Sequence, residues 1–448
     1  MARGKKKESL TPEERLQAAL VPESEQPYKV PENWCWTYLT KGAAECLDSF
    51  RKPINASERA NREGDIPYYG ATGQVGWIDD FLTNEQLVLV GEDGAPFLDL
   101  IKDKAYIIEG KAWVNNHAHI LRSHFGNTGN LFLMHYLNIF NYHDFVNGTT
   151  RLKLTQGSMD TMPVPIPPLP EQQRIVDCIE SLFAKLDEAK QKAQEALDSF
   201  ETHKSAILHK AFTGELTAQW RKEHGVGMET WEKKALGDIT DILSSKRIYK
   251  EEYTASGIPF FRSSEVVDLY DTGNTEPTFF ISEQRYEEIK NQHGVPGVGD
   301  LLVTSVGTIG KTWIVDNRKF YYKDGNLTQV RKSKLLDMRF LQFYIMSPEF
   351  KEQIEETVSG SAYNALTIVK FKKIRLPIPS VVEQSRIVRI LDGLLTKEQQ
   401  AKEAAEGVLE QIDLIKKAIL ARAFRGELGT NDPSEESAVE LLKALFEA

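Results

Sequence analysis

The sequence predicts a mixed α/β (α+β) protein in which two β-rich segments alternate with two long antiparallel coiled-coil helices, in a pseudo-two-fold repeat. Three observations predict this fold class. Two segments 212 residues apart match each other without a gap. Apolar residues in both copies recur every three or four positions, which is the period of coiled-coil helices. Short apolar runs separated by glycine, asparagine and aspartate precede each copy, as is typical of strands and turns.

The composition is that of a folded protein with several domains. A length of 448 residues corresponds to about two to four domains. No apolar run approaches the roughly 18 residues of a membrane helix, no secretory signal follows the basic start, and the three cysteines form no CxxC motif. We therefore expect a cytoplasmic protein without membrane contact or a metal site. The net charge of −10 neither shows nor excludes nucleic-acid binding.

The repeat is a duplication with two well-marked ends. PIPPLPEQQRIV begins at Pro165 and PIPSVVEQSRIV at Pro377, while KSAILHKAFTGEL begins at Lys204 and KKAILARAFRGEL at Lys416. Residues 165–216 and 377–428 are identical at 23 of 52 positions. The sequences before the two copies look unrelated, apart from a similar opening around a tryptophan.

The elements follow in order along the chain. Residues 1–30 form a tail with a short helix that begins at a capping box at Thr11, and residues 31–164 form a β-rich segment, here called the first head. The first long helix occupies 165–216 and a linker 217–227. The second head occupies 228–376 and the second long helix 377–428. The last segment, 429–448, contains a terminal helix that begins at a second capping box at Asp432. Each end helix can pack on its own domain or on a partner, and the sequence favours neither.

Strand and helix signals inside the heads are local. The runs QLVLVG and AYIIEG in the first head, and DLLVTS and KTWIVD in the second, predict strands. Helices are expected near Leu131–Tyr142 and near Met338–Thr357.

Each long helix has one apolar seam and therefore requires a packing partner. From Glu171 to Phe212 the first helix would span about 63 Å. The other copy is the obvious partner, and the connection through the second head makes the pair antiparallel. A core helix of a globular enzyme would not explain why the seam is duplicated while its flanks are not. The predicted interface residues are Ile175, Ile179, Leu182, Leu186, Phe200, Ile207, Phe212, Ile387, Leu391, Leu394, Val408, Ile412, Ile419 and Phe424.

No catalytic motif is complete. SVGTIGKT at 305–312 lacks the first glycine of a phosphate loop, and a strand-like run rather than a helix follows it. Asp99 with Glu109 and Lys111 has the spacing of a metal-dependent nuclease, but that spacing is common by chance. His117 and His119 could chelate a metal, yet no third ligand follows at a recognisable spacing. We therefore expect no catalytic residue, no metal site and no cofactor in this chain.

The duplicated EQxRIV motifs (Glu171 to Val176 and Glu383 to Val388) and AF-x-GEL ends (Ala211 to Leu216 and Ala423 to Leu428) resemble the specificity subunit of type I restriction–modification enzymes. The similarity extends from about Thr11 to Leu428. It implies that the heads are target recognition domains, each reading one half of a bipartite, asymmetric double-stranded DNA target. It also implies that the helices dock two methyltransferase subunits and, with them, restriction (motor–nuclease) subunits. S-adenosylmethionine, ATP and Mg²⁺ would then belong to those partners.

Candidate DNA contacts follow from donors and acceptors on head loops. In the first head they are Tyr68, Tyr69, Asn115, Asn116 and His117, and in the second Lys246, Arg247, Arg262, Ser263, Thr308, Lys311 and Tyr363. The two tyrosines can also be core or stacking residues, and Lys246 and Arg247 can be a solvated pair. Arg262 suits a guanine or a phosphate.

Two other classes of function stay open. One is a stand-alone DNA methyltransferase or nuclease with a duplicated scaffold, which the missing motifs oppose. The other is a structural adaptor whose heads bind proteins, with which the negative net charge is compatible.

Overall fold

The structure, a computed structural model, describes residues 10–358 and 365–448. It has two compact units. The first contains the described residues up to Gln194 together with Glu406–Ala448, and the second contains Glu195–Ala405. Both unit boundaries fall inside the long helices, so each unit holds one head and parts of both helices.

The helices and strands up to the end of the first long helix belong to the first head and its flanks. They are α1 Pro12–Ala19, β1 Cys35–Tyr38, β2 Ala44–Cys46, α2 Ala56–Ala60, β3 Ile66–Gly70, β4 Gly73–Ile78, β5 Thr83–Asn84, β6 Leu87–Gly91, β7 Ala105–Ile108, β8 Lys111–Val114, β9 Ala118–Ser123, α3 Gly126–Ile139, β10 Val146–Asn147, β11 Lys153–Leu154, α4 Gln156–Met159, β12 Pro163–Ile166 and α5 Leu169–Phe212.

The remaining elements continue from the second head to the last helix. They are α6 Ala218–His224, β13 Glu232–Ala235, β14 Ile242–Leu243, β15 Tyr253–Thr254, β16 Ile258–Phe261, α7 Ser263–Thr272, β17 Phe280–Ile281, α8 Glu283–Gln292, β18 Leu301–Thr304, β19 Thr312–Ile314, β20 Tyr321–Tyr322, β21 Leu327–Val330, α9 Met338–Met346, α10 Pro348–Val358, α11 Ile368–Lys373, β22 Arg375–Ile378, α12 Val381–Ala423 and α13 Ala438–Glu447.

The two heads have the same topology although most of their sequences look unrelated. Each is closed by an antiparallel pair of its first and last strands, β1 with β12 and β13 with β22. Each contains a four-stranded antiparallel sheet, ordered β2-β9-β6-β7 in the first head and β14-β21-β18-β19 in the second. Each also contains one parallel pair, β3 with β8 and β16 with β20. The strands that enter these pairs begin with IPYY and IPFF, a short similarity between the heads.

The long helices pack antiparallel, as predicted. In the first unit, Lys416 pairs with Asp187 at 2.5 Å and Asp413 with Lys190 at 3.5 Å, so residue numbers rise along α5 as they fall along α12. Ile175 and Ile179 share a core with Leu420, Ala423 and Phe424 of the α12 end. In the second unit, Leu208, Ala211 and Phe212 share a core with Ile387 and Leu391.

The predicted interface residues differ in their burial. Ile175, Ile179, Phe212, Ile387, Leu391, Ile412 and Phe424 are buried. Leu182, Leu186, Phe200, Ile207, Leu394 and Ile419 are half-buried, and Val408 is exposed. Burial along the seam is therefore uneven.

Several short segments differ from their prediction. The expected linker contains helix α6, whose Arg221 is buried. The last helix is capped by Ser437 rather than Asp432, because Asp432 accepts the Ser434 N–H in a separate turn. The helix expected from Met338 is interrupted between α9 and α10 at Ser347, just before Pro348, as proline requires.

The two end helices pack on their own unit. The capping box at Thr11 is present, and α1 contacts α13. Within the described ranges 10–358 and 365–448, no helix is long and apolar enough to cross a membrane.

Candidate nucleic-acid interface

The first head gathers loops where its parallel strands end. The chain leaves β3 at Gly70 and leaves β8 at Asn115, whose N–H donates to the Tyr69 carbonyl at 3.1 Å. The hairpin between β3 and β4 turns back at this edge, where the Ala71 carbonyl lies against Gly91 at the end of β6. Loops after β3, β6 and β8 thus meet in one place, here called the first edge.

The five candidate DNA contacts of the first head differ in how exposed their side chains are at this edge. Tyr68 is 1% exposed and belongs to the core with Trp113, so its side chain is not a surface group. Tyr69 is half-buried, 5.9 Å from the Tyr106 ring. Asn115 is buried and its Oδ1 accepts the His117 N–H. Asn116 is exposed and the His117 side chain is 42% exposed.

A charged cluster lies beneath the first edge. His119 is buried, with Nδ1 2.5 Å from Asp48 Oδ2 and Nε2 2.9 Å from the Leu154 carbonyl. Arg51 bonds to Asp48 and Glu92, and Lys153 bonds to Glu92 at 2.9 Å. Asp48, Glu92 and His119 are close enough together to hold a cation, but Arg51 and Lys153 already supply the positive charge.

The cluster favours ionised carboxylates. Burial opposes the charged form of Asp48, but hydrogen bonds from His119 and the Ile120 N–H, together with Arg51, hold its pKa below the ordinary value. Burial opposes ionised Glu92 as well, and its bonds with Lys153 and Arg51 likewise lower its pKa. The arrangement is therefore a structural support for the edge above it.

The second head has an edge in the same topological position. The chain leaves β16 at Arg262 and β20 at Lys323, whose N–H donates to the Phe261 carbonyl at 2.8 Å. The Asn326 carbonyl accepts the Ser305 N–H at 2.8 Å and lies 3.4 Å from Ser263 Oγ. This second edge differs from the first because helix α7, rather than a hairpin, follows the parallel strand.

Arg262 is fixed at the start of α7. Its Nη2 bonds to Glu265 Oε1 at 2.9 Å and to Thr278 Oγ1 at 3.1 Å, and its guanidinium lies 4.4 Å from the centre of the Phe279 ring. Burial opposes ionised Glu265, but the bonds from Arg262 lower its pKa. Because Arg262 is half-buried and contacts all three of these residues, its side chain has a defined direction.

The other candidates of the second head differ in exposure. Arg247 pairs with Asp324 at 2.7 Å, and the neighbouring Lys246 is exposed. Thr308 is exposed. Lys311 is half-buried, bonded to Asp271 at 2.7 Å and 4.1 Å from the Tyr270 ring centre. The remaining candidate, Tyr363, lies outside the described residues.

The glycine loop at 305–312 is a hairpin end. The Gly310 N–H donates to the Thr304 carbonyl at 3.0 Å, and strand β19 begins at Thr312. A phosphate loop needs a helix N-terminus at that point, so the strand prediction is confirmed here.

Each head is attached to its long helix through a buried glutamate of the repeated motif. In the first unit, Glu171 Oε2 accepts Trp34 Nε1–H at 2.8 Å, and Thr430 Oγ1 lies 3.4 Å from Oε1. Burial raises the Glu171 pKa against the opposing effects of Trp34 and Arg174. Arg174 itself bonds to Glu435.

The second unit repeats this attachment with a buried cation. Glu383 Oε2 accepts Trp231 Nε1–H at 3.0 Å, and Oε1 accepts from Thr217 Oγ1 and from Arg221 Nη1, both at 2.7 Å. The Arg221 guanidinium also lies 5.4 Å from the Trp231 ring centre. We call the two sites the first and second junctions. The repeated glutamates and tryptophans were visible in the sequence, but Arg221 lay in the expected linker.

The two edges are built on the same topology, and each head is attached to the long helices by a glutamate of the same motif. The chain is therefore a scaffold protein with two similar heads. The family model for the type I restriction modification DNA specificity domain matches residues 45–197 and 228–406, and the chain belongs to this family.

Relatives and solved structures agree with this assignment. A putative type I restriction enzyme specificity subunit of Haemophilus influenzae is 30% identical over 82% of this chain and 89% of its own length. The EcoKI specificity subunit of Escherichia coli is 26% identical over 61% of this chain and 59% of its own length. The HsdS subunit from Thermoanaerobacter tengcongensis has the same fold, with a TM-score of 0.61 at 21% identity over 90% of this chain and 100% of that one.

The chain is therefore the DNA specificity subunit of a type I restriction–modification system. Specificity subunits recognise DNA for the complex, and they carry neither the catalytic machinery nor a cofactor of their own. The predictions of family, fold class and function are confirmed.

Proposed function

We propose that each head reads one half of a bipartite, asymmetric double-stranded DNA target, with the long helices setting the spacing. This proposal is supported by one observation: the two heads have an edge in the same topological position, but the side chains at the two edges differ. Two similar heads can occupy successive positions along a duplex, and different edges specify different bases.

The contact residues follow from what the edges expose. In the first head we propose Tyr69, Asn116 and His117 as contacts. Tyr68 and Asn115 are buried, so Tyr68 is left out and Asn115 is proposed to position His117, whose N–H it accepts. In the second we propose Lys246, Arg247, Arg262, Ser263, Thr308 and Lys311. Arg262 has the fixed direction that base reading needs, while exposed Lys246 and Arg247 suit phosphates, which require charge more than orientation. Tyr363 remains a prediction from the sequence.

The proposed partners are two methyltransferase subunits and, with them, restriction subunits. Repeat-related positions Leu169 and Val381, at the starts of the two long helices, are each 45% exposed. Equivalent apolar residues on duplicated helices would offer similar docking sites to two copies of one partner. S-adenosylmethionine, ATP and Mg²⁺ would bind to these partners. The complex would be located in the cytoplasm, together with the DNA.

The test is a map of methylated adenines made with the chain and its methyltransferase co-expressed in cells that lack both. We expect one split motif, methylated on both strands, that disappears when this chain is omitted. Methylation by this chain alone would support the enzyme hypothesis instead. The adaptor hypothesis predicts no salt-dependent DNA affinity for the complex, whereas phosphate contacts predict affinity that falls as salt rises.

A further inference from the structure

Asp93 on the first edge holds two exposed side chains at once. Its Oδ1 lies 2.8 Å from His117 Nδ1 and 2.7 Å from Arg151 Nη2. The Arg151 side chain is 62% exposed, and that of Asp93 is 20% exposed. A sheltered carboxylate thus fixes an arginine and a histidine side by side. The sequence offered no signal for Arg151, because the residues of this group are far apart along the chain.

The backbone fixes the same three segments to each other. The Glu92 N–H donates to the His117 carbonyl at 2.8 Å, and the Leu154 N–H donates to the Glu92 carbonyl at 2.7 Å. Gly94, with φ +73°, allows a close approach, since a Cβ there would lie 3.3 Å from Arg151 Nε. The direction of Arg151 is therefore set by the fold as well as by its ion pair.

An arginine held in this way suits base recognition. The guanidinium is a planar fork that matches the O6 and N7 acceptors of guanine in the major groove. A phosphate contact needs charge but little orientation, and a fixed side chain loses less conformational entropy on binding. Within the described residues 10–358 and 365–448, Arg151 Nη2 donates to Asp93 Oδ1, and the other N–H groups of the guanidinium have no competing acceptor.

We propose that Arg151, oriented by Asp93 and flanked by His117, reads a guanine in the half-site of the first head. This inference rests on the proposed function. It makes Arg151 a specificity-determining residue that recognises the major-groove edge of guanine.

The experiment compares methylation motifs of the complete complex with its methyltransferase. The variants are R151A, R151K and D93N. R122A is the matched control, because Arg122 is another exposed arginine of the first head, bonded to Glu45 and Glu85 near the far end of β9.

We expect R151A to relax one guanine position of one half-site. Discrimination at that position should fall by about 5- to 150-fold, the range for one bidentate contact. R151K should relax it nearly as far because lysine cannot form the bidentate contact. D93N should relax it partly, and R122A should leave the motif unchanged.

Two results would overturn the proposal. One is an unchanged motif in R151A. The other is uniformly weaker methylation of the same motif with a smaller salt dependence, which would identify a phosphate contact. If R151A fails to assemble, the R151K motif decides between these outcomes. Failure of the proposed function is distinguishable, because the wild-type complex would then show no split motif at all.

Discussion

The two heads reach the same topology with different chemistry at their edges. The first edge combines a hairpin, amide side chains and a charged cluster centred on Arg51. The second has helix α7 at the equivalent place, with Arg262 fixed between Glu265 and Phe279. The comparison teaches that the strands of a head form a constant frame, whereas the segments that follow the parallel strands are free to vary.

The two junctions show the opposite relation. Both use a motif glutamate to accept the indole N–H of the first tryptophan of a head. They differ in charge, because Glu383 is bonded to buried Arg221 while Glu171 is bonded to neutral donors. The two junctions therefore have similar geometry but different charges, and this difference can be tested.

The largest effect is expected from removing the charge at the second junction. E383Q leaves Arg221 buried without its carboxylate and should destabilise the second unit by about 3–5 kcal/mol. E171Q keeps an acceptor for Trp34 and removes a buried charge, so it should cost less than about 1 kcal/mol. Hydrogen exchange of peptides in each unit measures both, since a chain with two units need not unfold in one step.

Equal losses in the two variants would show that the junctions are energetically equivalent. The electrostatic difference described above would then be wrong.

A smaller effect is expected at acid pH, and it should be greater in the first head, where the pKa values of two carboxylates are lowered, than at the second edge, where that of Glu265 is lowered. The pKa values of Asp48 and Glu92 are lowered in the folded first head, so their stabilisation is present above the ordinary carboxylate values. It is lost as pH falls through those values and below them. We expect the first edge to open below about pH 4.5, as followed by hydrogen exchange of residues 91–97 and 115–123.

The D48N/E92Q double variant sharpens this prediction. It should expose the same segments at neutral pH and leave little further change on acidification. The raised pKa of Glu171 has the opposite sign and cannot produce the acid loss. An acid response that is unchanged in the double variant would contradict this explanation.

The smallest effect on stability is expected at exposed Arg247. Its ion pair with Asp324 is at the surface, where such pairs contribute little to stability. If Arg247 contacts a phosphate, R247A should weaken DNA binding uniformly across sequences and reduce the slope of log affinity against log salt by about 0.9. A changed motif would instead make Arg247 a base reader.

The architecture could be predicted from the sequence, but the arrangement of side chains at the two edges could not. The seam that contains Ile175 and Ile179 repeats with a period that predicts a helix in need of a partner, and the connection through the second head sets the direction of the pair. The edges depend on contacts between residues far apart in the chain, such as Asp93 with Arg151, and no local pattern marks them. Tyr68 illustrates the limit, since an aromatic residue beside a glycine turn looks the same whether it faces the core or the DNA.

The most direct test of the division of labour is to exchange the first head, residues 31–164, for that of another specificity subunit and map the methylated adenines. The account predicts that one half of the split motif changes while the other half and the spacer stay the same. A change in both halves, or in neither, would contradict it.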